Sequence, residues 1–280
     1  MEPDTILASA KVLERGLDGD AASQREMLPG EAAVNAAREQ MEYEAAAGAA
    51  LPFPHAPAPA REGCGPNELI IRDDSHFNFC VASAIRTGKT TLVVAIAKAM
   101  ADAGRISQVL IFTAGNEDDT LNAFVSVTRA DVRVFAYSAE QVMTWVGNRA
   151  EKKDAGDILR PTLVIFDDVV GEGVERDKAV LTLFTRGRHL NVYTAISSQQ
   201  ANNALSPTFK ANSRYIIFSQ LTGSAMNLLH KDLVLRPEMS PADFRSWVTR
   251  KCENFVFGLY DAHGKSLSTI RCGGGGSGGM

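Results

Sequence analysis

The segment from Phe77 to Met100 constrains the fold more than any other part of this sequence. An apolar run, FNFCVA, leads into a loop of small residues, then the triplet Gly88-Lys89-Thr90, then a pattern of strong helix formers. A GK[ST] triplet between a strand and a helix is typical of a phosphate-binding loop (P-loop). Backbone N–H groups at the helix start wrap phosphates there, and the helix dipole favours negative charge. The segment therefore predicts a nucleotide site within an α/β core.

The loop supplies the predicted contacts to nucleotide and metal. Lys89 is predicted to reach the β- and γ-phosphates of ATP, and the Thr90 hydroxyl to ligate Mg²⁺. Ser83 stands where the full G-x-x-x-x-G-K-[ST] pattern has its first glycine. The predicted nucleotide-binding residues are Ser83, Ala84, Ile85, Arg86, Thr87, Gly88, Lys89, Thr90 and Thr91.

Length and charge set the broad class. The chain has 280 residues, 45% of them hydrophobic, and a net charge of −4. This is enough for one sizeable core with extensions. The first 60 residues hold ten acidic and four basic residues, so the remainder holds 23 acidic and 25 basic residues. The net charge of residues 61–280 is therefore +2, which is compatible with DNA contact but does not demonstrate it.

Cysteine and histidine usage predicts neither a disulfide framework nor a zinc site. The four cysteines and five histidines are scattered, and none forms a CxxC pair. Free thiols indicate a reducing compartment. The sequence lacks a basic, apolar leader at its start and a run of about 18 apolar residues. We therefore expect a soluble intracellular protein that has no membrane partner.

Composition divides the chain into three expected regions. Residues 1–62 are rich in Ala and Glu and finish in the proline-alternating stretch LPFPHAPAPA, which predicts a partly helical or disordered accessory arm with a stiff linker. Residues 63–271 are the predicted P-loop ATPase domain. Residues 272–280 are predicted to be a flexible Gly-rich tail.

Short apolar runs alternate with helical patterns inside the central region. Continuous apolar strands are typical of a parallel sheet that is buried on both faces. Their alternation with helices predicts a doubly wound, mostly parallel α/β sheet, with ligands at the carboxyl ends of the strands. The predicted strands are 77–82, 108–113, 132–137, 162–166, 192–197, 215–219 and 254–260. The predicted helices are 89–103, 119–127, 139–150, 176–188, 223–231 and 241–250.

A second motif delivers two acids to the same edge of the predicted sheet. The apolar run Leu163-Val-Ile-Phe166 is followed directly by Asp167 and Asp168. Asp167 is predicted to hold Mg²⁺ together with Thr90, and Asp168 to orient or deprotonate the attacking water. Because many ATPases carry the longer Glu at the second position, Glu172 is a candidate assistant.

The strand order expected from these motifs is that of motor-type ATPases. At least two strands intervene between the P-loop strand and the Asp167 strand, which is the order expected when an extra strand is inserted between the two motif strands. The strand at 192–197 is predicted to be that insertion. It ends in Ser198-Gln199-Gln200, so Gln199 is predicted to sense the γ-phosphate and the attacking water.

Three further stretches carry a family resemblance, which covers roughly residues 68–262. The stretches are Phe184-Thr-Arg-Gly-Arg-His189, Ile196-Ser-Ser-Gln199 and Leu205-Ser-Pro-Thr-Phe-Lys-Ala-Asn212. With them, the sequence resembles the poxvirus-type genome-packaging ATPases of large DNA viruses, within the FtsK–HerA group of DNA-pumping motors. Departures from that pattern are Ser83 for glycine, Ser206 for proline and Lys210 for arginine.

The resemblance implies a RecA-like (ASCE) core that assembles into a homo-oligomeric ring of roughly five or six subunits. Such a ring uses ATP and Mg²⁺ to push double-stranded DNA into a preformed capsid, with a capsid or vertex protein as a further partner. The implied location is the host cytoplasm, a virus factory or the virion. Arg188 is the first candidate for an arginine that acts on the neighbour's nucleotide, with Arg186 and Arg214 as alternatives. Candidate DNA-phosphate contacts are Arg176, Lys178, Lys210, Arg245, Arg250 and Lys251.

Other readings of the sequence stay open. One is a different motor of the same superfamily, from phage morphogenesis or conjugation. Another is a catalytically weak or inactive nucleotide-binding scaffold. Ser83 in place of glycine and the absence of Glu at position 168 favour that reading slightly. A P-loop kinase or GTPase is less favoured, because the sequence shows neither an Arg-rich lid nor an Asn-Lys-x-Asp element.

Overall fold

The computed structural model describes residues 63–72, 75–84, 86–114, 119–169, 173–199, 205–233 and 239–272. The predicted arm at 1–62, nearly all of the predicted tail at 272–280, and two candidate site residues, Ile85 and Glu172, lie outside the described residues.

Strands and helices alternate along the described chain. The strands are β1 Phe79–Ala82, β2 Gln108–Thr113, β3 Asp131–Ala136, β4 Thr162–Asp167, β5 Val192–Ser198, β6 Tyr215–Phe218, β7 Val256–Asp261 and β8 Ser266–Arg271. The helices are α1 Pro66–Arg72, α2 Lys89–Asp102, α3 Asp119–Val127, α4 Ala139–Asp154, α5 Lys178–Arg186, α6 Pro207–Ala211, α7 Gly223–Asp232 and α8 Pro241–Lys251. Short 3₁₀ turns at Val174–Arg176 and Gly187–Leu190 flank α5.

The strands form one sheet in the order β3-β2-β4-β5-β1-β6-β7-β8. The first six run parallel, and β7 is antiparallel to both of its neighbours. The predicted doubly wound, mostly parallel α/β sheet is therefore confirmed. The predicted insertion is also confirmed, because β5 pairs with β1 on one side and with β4 on the other.

Apolar side chains cover both faces of the sheet. Helices α1, α2 and α3 pack on one face, with Leu92 and Ile96 of α2 fully buried. Helices α4, α5, α7 and α8 pack on the other face, where Leu183 is fully buried. The continuous apolar runs of β1 and β4 lie between these layers and are buried along their whole length, as a two-faced sheet requires.

Some elements differ from the sequence prediction. Strand β3 is not buried on both faces, because it ends the sheet and leaves Val134 and Phe135 about two-fifths exposed. The helix predicted over 176–188 is regular only over Lys178–Arg186. It begins late because the Asp177 carboxylate accepts a hydrogen bond from the N–H of Ala179 and caps the helix there.

Candidate nucleotide-binding site

The P-loop joins the end of β1 to the start of α2 and is tied to the strands on both sides. The N–H of Ser83 donates to the carbonyl of Ser198, the last residue of β5, and the N–H of Ala84 donates to the carbonyl of Gln220, after β6 (both 3.2 Å). Gly88 has a φ of 88°, a left-handed conformation that glycine adopts without strain. The loop is therefore held at the carboxyl edge of the sheet, in the position that a nucleotide site requires.

Ser83, which replaces the usual first glycine, is accommodated within the loop. Its side chain is fully buried, and its hydroxyl is hydrogen-bonded to the hydroxyl of Thr87. The Thr87 hydroxyl also lies within hydrogen-bond distance, 2.8 Å, of the Ala84 carbonyl. The serine therefore makes a bond across the loop that a glycine would lack.

The two sequence motifs meet at Lys89. Its side chain is only 8% exposed, and its Nζ lies 3.1 Å from Oδ2 of Asp168 and 4.0 Å from Oδ1 of Asp167. The Thr90 hydroxyl donates to Oδ2 of Asp167 at 3.0 Å. Residues predicted separately from the P-loop and from the acidic strand end therefore lie in direct contact.

Gln199 completes this cluster from the end of β5. Its backbone N–H donates to Oδ1 of Asp168 at 3.2 Å, and its side-chain amide donates to Oδ2. Asp168 has a φ of 55°, and its own N–H donates to the Ser197 carbonyl at 2.9 Å. Asp is among the residues that tolerate this left-handed conformation. The turn thus directs the Asp168 carboxylate towards both Lys89 and Gln199.

Asp167 is buried, and this burial changes the pKa of its carboxyl group. Burial raises the pKa of the Asp167 carboxyl, while the Lys89 ammonium and the nearby hydroxyls of Ser197 and Thr90 oppose the shift with smaller effects. Oδ1 of Asp167 and Oγ of Ser197 are both buried, and neither makes a hydrogen bond of normal geometry. An unpaired, buried carboxylate oxygen is a group that a cation or an ordered water would satisfy.

Mg²⁺ fits this set of oxygen atoms. Mg²⁺ is usually held by one or two carboxylates together with waters and substrate phosphates, rather than by a cage of protein ligands. Asp167 and Thr90 supply an acid and a hydroxyl of that kind. Within the described ranges no group of three or more His, Cys, Asp or Glu side chains forms a metal site.

Arg188 lies away from this cluster. It is exposed in the 3₁₀ turn that precedes β5, whereas Gln199 follows β5. Because β5 has seven residues and rises about 3.3 Å per residue, about 20 Å separates the two edges. Arg188 therefore does not join the P-loop of its own chain, and Arg186, at the end of α5, lies near the same opposite edge.

Arg188 instead lines a cleft of about 520 Å³ at the amino edge of the sheet, together with other basic residues. Arg214, just before β6, donates to the Ser75 hydroxyl at 3.0 Å and lies 3.6 Å from Asp261. Lys210 forms an ion pair with Asp232. The remaining basic residues of the lining are His76 and His263.

The other predicted DNA contacts lie on separate elements. Arg176 and Lys178 are exposed around the start of α5, and Arg250 and Lys251 are exposed in the last turn of α8. Arg245 donates to Oδ1 of Asn227 at 2.7 Å. They remain predicted phosphate contacts.

Sequence reasoning missed Asn78, a buried polar residue directly before β1. Its buried amide donates to the carbonyls of Phe184 (2.9 Å) and Asn212 (3.1 Å), and its Oδ1 accepts from the N–H of Thr194 (3.0 Å). One side chain thus satisfies the ends of α5 and α6 and joins both to β5. The available signal was an asparagine inside the apolar run FNFCVA, since a buried amide needs partners.

The topology and the loop define the class. A P-loop after β1, two acids at the carboxyl end of β4 and a strand inserted between β1 and β4 give this chain the α/β fold of a P-loop NTPase. This assignment rests on the chain's own topology.

Known structures of similar fold include a viral packaging protein. The genome packaging NTPase B204 from Sulfolobus turreted icosahedral virus 2, in complex with AMPPCP, is 15% identical, with 69% of this chain and 96% of that chain covered and a TM-score of 0.48. The pCW3 conjugation coupling protein TcpA is 10% identical, with 70% and 60% covered and a TM-score of 0.47. The Type VII secretion ATPase EccC of Thermomonospora curvata is 12% identical, with 69% and 25% covered and a TM-score of 0.48.

No protein-family model matches the sequence, and no curated protein matches it. No helix in the described part of the chain is long and apolar enough to cross a membrane.

Proposed function

We propose that this protein is an ATP-hydrolysing motor that moves double-stranded DNA into a preformed viral capsid. The observation that carries the proposal is the cluster at the carboxyl edge of the sheet, where Asp168 contacts both Lys89 and Gln199, and Thr90 contacts Asp167. Binding, metal and water-orienting groups of an ATPase are thus available within one chain.

Each residue of the cluster has a part in hydrolysis. The P-loop N–H groups and Lys89 bind the phosphates, so Lys89 exchanges its contact with Asp168 for one with the nucleotide. The Asp168 carboxylate accepts a proton from the attacking water or orients it, and Gln199 fixes that carboxylate and contacts the γ-phosphate. Thr90 and Asp167 would hold Mg²⁺, which would supply positive charge to neutralise the phosphates.

Arg188 is proposed to act on the nucleotide of a neighbouring subunit. It is exposed and lies at the edge opposite its own P-loop, so only the P-loop of another chain is available to it. An arginine supplied in trans stabilises the charge that develops on the transferred phosphoryl group. This arrangement requires a homo-oligomer, for which we propose a closed ring.

DNA as the cargo is supported by the motif resemblance. Translocation needs contacts to phosphates that do not depend on sequence. Exposed Lys and Arg side chains around α5 and α8, such as Arg176 and Lys251, supply the required charge. The capsid, or a protein at its vertex, is the proposed second partner.

The first test is steady-state ATP hydrolysis with and without double-stranded DNA. We expect turnover that DNA raises and that Lys89→Ala abolishes. Lys98→Ala, at an exposed position on the same helix, is the matched control and should behave as the wild type. ATP binding without turnover in either condition would overturn the motor proposal and favour a nucleotide-binding scaffold.

A second test separates movement along DNA from ATP hydrolysis that DNA merely stimulates. We expect ATP-dependent displacement of a triplex-forming oligonucleotide from duplex DNA by the wild type and not by Lys89→Ala. DNA-stimulated hydrolysis without displacement would contradict translocation. Protection of DNA from nuclease in the presence of empty capsids of the same virus would distinguish packaging from conjugation-type transport.

A further inference from the structure

The turn between α8 and β7 has a strained backbone. Asn254 and Phe255 have φ values of 49° and 64°, so two successive residues other than glycine are left-handed. This conformation costs about 1–2 kcal/mol per residue, and a bulky side chain in it is an outlier. The turn is held from both sides, because Val256 donates to the Glu253 carbonyl at 3.0 Å and Cys272 donates to the Phe255 carbonyl at 3.1 Å.

The Phe255 ring lies on the P-loop and not in the core. A Cβ added to Gly88 would lie 2.6 Å from Cε1 of Phe255, so the ring packs directly on the bare backbone of that glycine. The side chain nevertheless remains 54% exposed. The strain therefore holds an open aromatic face beside Lys89, the first residue of α2. Strain of this kind concentrates at binding sites.

The sheet order shows which end of a nucleotide this ring meets. Asp168 follows β4 and Gln199 follows β5, and both strands lie on one side of β1. The terminal phosphate, which these residues are proposed to contact, would point to that side. The nucleoside is at the other end of the triphosphate and therefore points towards β6 and β7, and Phe255 immediately precedes β7.

We propose that Phe255 stacks against the base of the bound nucleoside triphosphate. The inference rests on the proposed function, since it requires the nucleotide to bind at the P-loop. Aromatic stacking accepts any base, because every base has a π-face. Phe255 therefore contributes affinity for nucleoside triphosphates without selecting the base.

The experiment compares ligands with and without a base. Titration calorimetry with Mg²⁺ present measures the affinities of ATP, GTP and inorganic tripolyphosphate for the wild type, Phe255→Asn and Phe255→Tyr. Asn tolerates the left-handed backbone and removes the ring, whereas Tyr keeps it. Phe135→Asn, at an exposed position on β3, is the control for loss of a surface aromatic side chain.

We expect Phe255→Asn to weaken ATP and GTP by about 5- to 140-fold, which corresponds to about 1–3 kcal/mol. Tripolyphosphate affinity should stay within about twofold, and Phe255→Tyr and Phe135→Asn should match the wild type. Unchanged ATP affinity in Phe255→Asn would overturn the inference. An equal loss for ATP and tripolyphosphate would also overturn it, because the ring would then only support Gly88.

A second variant keeps the proposal testable if Phe255→Asn does not fold. Phe255→Trp should change its fluorescence on binding ATP and not on binding tripolyphosphate, after subtraction of the wild-type signal. The same change with both ligands would contradict stacking. Two outcomes are distinguishable. If the wild type does not bind ATP, the proposed function is overturned. If the wild type binds ATP and Phe255→Asn binds it equally well, only the stacking inference is overturned.

Discussion

Asp168→Asn should separate nucleotide binding from hydrolysis. The side chain keeps its shape, and asparagine also tolerates the φ of 55° at this position. The amide oxygen can still accept the hydrogen bond from the N–H of Gln199. What is lost is the negative charge that accepts or orients the proton of the attacking water, together with the acceptor Oδ2 for Lys89 and for the Gln199 side-chain amide. The variant should therefore fold and bind ATP.

The expected magnitudes follow from these contacts. Loss of a general base or water-orienting carboxylate lowers the rate by about 100- to 10,000-fold, or about 2.7–5.4 kcal/mol in the barrier. ATP affinity should stay the same or rise by up to about fivefold, because Lys89 no longer shares its charge with Asp168. The Asp168 side chain is 30% exposed, so that ion pair is worth at most about 1 kcal/mol.

Single-turnover hydrolysis and calorimetric ATP binding measure the two quantities separately. Asp102→Asn, at an exposed position on α2, is the matched control and should change neither. A rate for Asp168→Asn above about one-tenth of the wild-type rate would refute the role of Asp168 as the water-orienting group. So would an equal loss of ATP affinity and rate.

Three further predictions concern other parts of the molecule. Arg188→Ala should lose activity in assembled rings, and mixing it with Lys89→Ala protein should restore part of that activity; no recovery at any ratio would contradict the trans role. Asn78→Ala leaves three backbone groups unpaired and should lower the free energy of unfolding by about 3–6 kcal/mol in urea titrations. The exposed Asn148→Ala should change this value by less than about 0.5 kcal/mol. Because burial raises the pKa of Asp167, its contribution to stability is largest below the pKa of an unfolded Asp and is lost as pH rises through the folded pKa. Stability of Asp167→Asn should therefore fall less than that of the wild type between about pH 4 and 7, and identical profiles would contradict this.

The sequence predicted the parts of the fold that rest on continuous apolar runs. The bounds of β2 and α3 were predicted without error, and the place of β5 between β1 and β4 followed from the order of the motifs. Strand β8 was missed because its residues are mostly half-buried and its sequence, SLSTIR, has little apolar character. The exposure of β3 was also missed, since its apolar pattern does not show that it ends the sheet.

The site residues that could be predicted are those that belong to a sequence motif with a characteristic spacing. Lys89, Asp168 and Gln199 were named from motifs, and the structure brings them together. Phe255 has no such signal, because its proximity to Gly88 depends on the pairing of β7 with β6, far from the P-loop in sequence. Contacts set by long-range strand register cannot be read from a local pattern.

The continuity of β5 has a mechanical consequence. This strand pairs with β4 over Val192–Ser197 and with β1 over Ala195–Ser198, and it extends without interruption between the Arg188 turn and Gln199. A rigid element of this kind fixes the distance between the two ends and does not allow them to move independently. Substitutions inside it, such as at the fully buried Ile196, should therefore disturb both edges of the sheet together. Substitutions in β3, at the margin of the sheet, should disturb neither.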